Sequence, residues 1–140
     1  MIDAETVKRL QECVRRERRS LLQYAVSVPL WTTPDDQPAV ERLRAIAERE
    51  AAAIDNLARR LEESRAGRVH LGPFPSPFTS YNDVAFRSLL PVIAEAHRRD
   101  LVALESDCGA VNSESRPLIE PILATKREHA AELERLAAGA

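Results

Sequence analysis

In the stretch ATKREHAAEL, residues 124–133, an apolar helical spacing runs into a lysine and a histidine. The stripe begins at Ile119 and Ile122, passes through Lys126 and His129, and resumes at Leu133 and Leu136. Three other stripes are each broken once in the same way. Glu17 interrupts Val7, Leu10, Val14, Leu21, Tyr24 and Val28; Glu50 interrupts Val40, Leu43, Ala47, Ile54, Leu57 and Leu61; His97 interrupts Phe86, Leu90, Ile93, Leu101 and Leu104. An unpaired charge in a dry core is costly, so these groups must pair, bind an ion or meet water. Converging carboxylates and imidazoles offer a divalent ion hard oxygens and borderline nitrogens. An ammonium among carboxylates brings its own cation instead. Two chemistries follow. In one, a single iron, manganese or zinc ion is held by Glu50, His129 and one or both of Glu17 and His97, with Lys126 just outside the ligands. In the other there is no metal: the Lys126 ammonium pairs with Glu17 and Glu50, and His97 and His129 hydrogen-bond within the network.

Four long helical segments must bring these residues together, and no strand-like alternation of useful length competes with them. The first runs from about Asp3, a good N-cap, to about Leu30. The turn WTTPDDQP, residues 31–38, leads into a second segment that ends near Arg65. AGRVHLGPFPSPFTS, residues 66–80, carries two glycines and three prolines and reads as an extended connection. The third segment starts near Ser80–Asp83 and runs to about Cys108, with Pro91 kinking it or resetting its start. The fourth follows CGAVNSES, with Pro117 and Pro121 near its first turn. Four amphipathic helices predict an all-α four-helix bundle in a single domain, residues 1–140. A helix of about 28 residues is about 42 Å long, and 15 extended residues span about 50 Å. The long connection can therefore travel the whole bundle, while the other two suit tight hairpins. Each ionisable interruption lies near its helix midpoint, so all should meet at one height. Glu17 and Glu50 are 33 residues apart and His97 and His129 are 32 apart, a faint internal two-fold.

Composition narrows the function. Twenty basic residues against 22 acidic ones leave a net charge of −2, which is no footprint for nucleic acid or anionic lipid. No run of about 18 apolar residues exists to span a membrane, and MIDAETVKRL lacks an apolar signal core, so the expectation is a cytoplasmic protein. Cys13 and Cys108 form no metal or redox motif.

The residues resemble the ferritin-like superfamily of bacterioferritin and rubrerythrin type. Glu17 followed by Gln23-Tyr24 is similar to the first-helix pattern of bacterioferritins, with the ligand glutamate seven residues before the tyrosine. Glu50 stands where the family's second helix has Glu-x-x-His, and Lys126–His129 where the fourth has its second Glu-x-x-His. The resemblance covers about residues 3–137 and implies a ferritin-like bundle with a long crossover. It also implies a site built on Glu17, Glu50, His129 and a third-helix residue, His97 or Glu95, with Lys126 and Tyr24 beside the ligands. Helical periodicity puts Glu95 about 160° from His97, away from the stripe. The expected histidine of the second helix is Ala53, and the expected bridging glutamate of the fourth is Lys126. A di-iron centre takes about four carboxylates and two imidazoles, so the expectation is a degenerate site rather than a working oxidation centre. The usual interfacial heme ligand is also missing, because Met1 is the chain's one methionine.

The remaining residues carry structural expectations. Tyr24 reads as a core residue with its hydroxyl on a carboxylate, and Asp100 lies beside His97 or at the edge of the stripe. Arg15, Arg16, Arg18 and Arg19 read as a solvated face around Glu17. Trp31 reads as a cap on the bundle end near Phe74 and Phe78, or as an oligomer contact. The alternative function is a metal-free module acting by association, as a homodimer or larger homo-oligomer.

Overall fold

The computed structural model describes residues 3–139, and Met1 lies outside that range. The described residues form five α-helices and no strand. Asp3 caps α1 (Ala4–Arg18) by accepting a hydrogen bond from the Thr6 amide at 2.7 Å. After a break of two residues comes α2 (Leu21–Ser27), then α3 (Gln37–Glu63), α4 (Phe86–Ala110) and α5 (Arg116–Ala138). Pro117 sits in the first turn of α5, while Pro91 and Pro121 fall inside α4 and α5, each removing one donor early in its helix. No helix among the described residues is long and apolar enough to cross a membrane.

Two apolar cores lie at opposite ends of α3, separated by Glu50. One gathers Leu21, Leu22 and Ala25 with Leu43, Ile46, Phe86, Leu89, Ile93 and Leu133. The other gathers Leu10, Cys13 and Val14 with Ile54, Leu57, Leu61, Leu104, Ile119 and Ile122. These memberships set the chain directions. From α1 to α2, and along α5, the chain runs from the second core to the first; α3 and α4 both run from the first to the second. The connection over residues 64–85 therefore returns the chain along the length of the molecule. Helix α3 lies against α1, α2 and α5, and α4 against the same three.

Several sequence expectations need correction. The first helix is not continuous to Leu30: the Ser20 side chain accepts from the Gln23 amide at 3.2 Å and restarts the helix as α2. The third helix begins at Phe86 rather than at Ser80–Asp83. Residues 83–85 are committed to pairing with residues 29–31: Trp31 N donates to Val84 O at 3.1 Å and Phe86 N to Trp31 O at 2.8 Å. The connection is not wholly extended, since Ser76–Tyr81 forms a 3₁₀ turn. Trp31 does not cap a core. That backbone pairing leaves its indole 63% exposed, and Phe74 and Phe78 pack on Tyr24 instead, with ring centroids 5.2 and 5.5 Å away.

Candidate functional site

Between the two cores, all the stripe-breaking residues are buried: Glu17, Glu50, His97, Lys126 and His129. Glu17 comes from the last turn of α1, Glu50 from mid-α3 and His97 from mid-α4. Lys126 and His129 stand three residues apart on α5, the spacing that puts two side chains on one helix face. Lys126 is among the largest fully buried side chains of the described residues, at 1% exposure.

Its Nζ lies 2.8 Å from Glu17 Oε1 and 3.4 Å from Glu50 Oε1. The other Glu50 oxygen is taken by the histidines: His97 Nε2 and His129 Nδ1 each lie 2.7 Å from Oε2. Burial would push the Glu50 carboxyl up, but the hydrogen bonds from His129 and His97 and the Lys126 charge outweigh it and hold the carboxyl well below the usual range. Glu50 is therefore ionised and can only accept, so both imidazoles donate to it. Burial likewise opposes the Lys126 charge, and the carboxylates of Glu17 and Glu50 more than offset it, holding the ammonium above its ordinary value.

The network continues outward through Arg16, Asp107 and Arg9, none of which sequence reasoning placed in it. Arg16 Nε donates to Glu17 Oε2 at 2.9 Å, and its Nη1 to Asp107 Oδ2 at 2.8 Å. Arg9 reaches Asp107 Oδ1 at 3.2 Å. The only signal for Arg16 was its place beside Glu17, and Asp107 gave none. The four arginines are not simply a solvated face. Arg15 donates to His70 O at 2.8 Å and Arg19 to Pro73 O at 3.4 Å, tying α1 to the long connection, and Arg18 faces Asp55 at 3.3 Å.

Two candidate residues lie elsewhere. Glu95 is exposed and pairs with Arg98, because its position on α4 is turned away from the stripe. Tyr24 is two turns beyond Glu17, and its hydroxyl donates to the Asn82 side-chain oxygen rather than to a carboxylate. Asp100 sits at the edge of the network, half-buried. Burial first, then the Glu17 charge, push its carboxyl up to about 6. Cys13 is inert for a similar reason: burial pushes its thiol up to about 12.

These contacts bear on metal binding. Two donors about 2.1 Å from one ion stand roughly 3.0–3.4 Å apart. Glu50 Oε2 and each imidazole are at hydrogen-bond distance instead, and an ammonium sits between the carboxylates. Among the described residues, no group of three His, Cys, Asp or Glu side chains is arranged to hold a metal ion. The residues as arranged do not fit a di-iron centre. No family model matches the chain, and no curated protein or solved structure matches it.

Two stability measurements check this geometry. Lys126→Met should cost about 3–5 kcal/mol in urea denaturation, because Glu17 and Glu50 lose their buried counter-charge. Adding Glu17→Gln and Glu50→Gln should recover part of that loss; a single-variant loss below about 1 kcal/mol would contradict the pairing. Asp100 carries the opposite sign. Its folded carboxyl binds a proton more tightly than the unfolded one (about 3.9), so stability falls as pH rises from about 4 to 6, and the deficit is complete at neutral pH. Asp100→Asn should therefore raise stability at pH 7.5 by roughly 1–2 kcal/mol and change little below pH 4. A gain of the same size at both pH values would refute the assignment.

Proposed function

We propose that the chain is a ferritin-like four-helix bundle, with α1 and α2 as its first rod, in which a degenerate di-iron site has become a metal-free ionic layer. Lys126 takes the place of the metal. The observation that carries this reading is the Lys126 ammonium 2.8 Å from Glu17 and 3.4 Å from Glu50, with both histidines donating to Glu50. The order of connections also supports it: a short turn, a long return and a short turn between four antiparallel or parallel rods is the ferritin-like order. The position of Lys126, three residues before His129, is where the resemblance implies a bridging glutamate. One ammonium neutralises much of the carboxylate charge that an ion would otherwise neutralise.

A second reading, a single iron, manganese or zinc ion on Glu50, His97 and His129, is favoured by one observation. His97 Nε2 and His129 Nδ1 converge on one carboxylate oxygen, Glu50 Oε2, each at 2.7 Å. Elemental analysis of protein purified without chelators separates the two. The ammonium reading expects less than about a tenth of an equivalent of any transition metal and no rise in Tm on adding iron, manganese or zinc. A full equivalent bound, or a clear rise in Tm, overturns it and supports the second.

We also propose that the protein works by association as a homodimer, with Trp31 at the contact. Its 63% exposed indole stands beside a cleft lined by Ala25, Val28, Leu30, Val40 and Phe86. Exposed tryptophan is a common anchor of protein contacts. Sedimentation should give a dimer at micromolar concentration and a monomer for Trp31→Ala. A wild-type monomer up to about 100 μM removes this proposal.

A further inference from the structure

Among the described residues, the guanidinium groups of Arg19 and Arg99 have no carboxylate partner. Arg99 on α4 is exposed and makes no ion pair among the described residues. Arg19, at the break between α1 and α2, donates only to a backbone carbonyl, that of Pro73, and its Nε is buried with no acceptor. A buried donor without a partner is unfavourable, more so on a charged group. Both arginines line one cleft of about 300 Å³ between α1, α2, α4 and the long connection.

The other charges on the cleft are accounted for. Glu12 pairs with Arg15, and Arg16 is held by Glu17 and Asp107. Asp100 also lines the cleft. The lining also includes the apolar side chains of Leu21, Pro75, Phe78 and Ala96. A cleft that joins charged groups to apolar side chains has the make-up of a small-molecule site.

We propose that this cleft binds a small organic carboxylate, its oxyanion between Arg19 and Arg99 and its apolar body on Leu21, Phe78 and Ala96. Guanidinium groups suit a carboxylate because their planar N–H forks match its two oxygens, and such charge-assisted bonds are about twice as strong as neutral ones. A phosphate fits less well, because it leaves Leu21, Phe78 and Ala96 uncovered. The inference does not depend on the metal-free reading of the layer, since neither Arg19 nor Arg99 belongs to it.

Benzoate is the probe. Titrated into ¹⁵N-labelled protein, it should shift the amides of residues 19–21, 78 and 96–100 saturably in the millimolar range or tighter. Arg99→Ala should weaken that binding at least about fivefold, while Arg99→Lys, which keeps the charge without the planar fork, should fall between. Arg99 is exposed and unpaired, so these variants should leave Tm within about two degrees of the wild type. Inorganic phosphate should bind at least about fivefold more weakly than benzoate. No saturable shift up to about 20 mM, shifts centred elsewhere, or equal binding by Arg99→Ala each overturns the site. Equal binding of phosphate overturns the assignment of its ligand as an organic carboxylate.

Discussion

The structure is organised around one buried cation. A lysine at 1% exposure would be intolerable in an apolar core, yet here it occupies the plane between two apolar cores and meets a carboxylate from each of two other helices. Every other polar contact in that plane answers to it. Glu50 can be ionised because the ammonium and two imidazole donors surround it, and Glu17 lies between Lys126 and Arg16, 2.8 and 2.9 Å away. All the helices except the short α2 contribute, so the layer also sets how far each may slide against its neighbours. A slip by one turn would strand a charge against leucine.

The layer's chemistry is that of a closed circuit. Both carboxylate oxygens of Glu50 are engaged, the lysine is held in its charged form, and the nearby Cys13 thiol is kept protonated by burial. A nucleophile or base poised for catalysis would need a group held near its working pKa and open to substrate. Lys126 and Cys13 are shifted away from reactivity, and Glu50 is committed to three partners. The arrangement stabilises and specifies the packing of the helices. The open polar groups lie one step outward, at Asp100, Arg19 and Arg99, where a cleft reaches the edge of the network.

The arginines show how surface charge is used in this fold. A face of four arginines on α1 looks like a solvated stripe in one dimension. In three dimensions the long connection lies over it, and its backbone carbonyls at His70 and Pro73 accept from Arg15 and Arg19. Arg16 reaches in the other direction and joins the buried layer to Asp107 on α4. Arginine suits these bridging roles because its several donors can serve two acceptors at once.

Periodicity alone was enough to reveal that the chain is helical, that its stripes pair apolar residues over nearly their whole lengths, and that Glu17, Glu50, His97, Lys126 and His129 face inward. A spacing of three and four assigns a side chain to a face without knowledge of the partner helix. The same rule put Glu95 off the stripe of His97, but Pro91 could shift that register, so both stayed candidates until the structure buried His97 and left Glu95 exposed. What it left open depended on contacts between segments distant in sequence. The choice between an ion and an ammonium rested on where Lys126 Nζ comes to lie among carboxylates 76 and 109 residues away. The start of α4 rested on pairing with Trp31, the partner of Tyr24 on the path of the long connection, and the roles of Arg16 and Asp107 on helices brought side by side. Helical spacing is a local property of the backbone, whereas the partner of a buried charge is settled by which atoms the packed helices bring within about 3 Å.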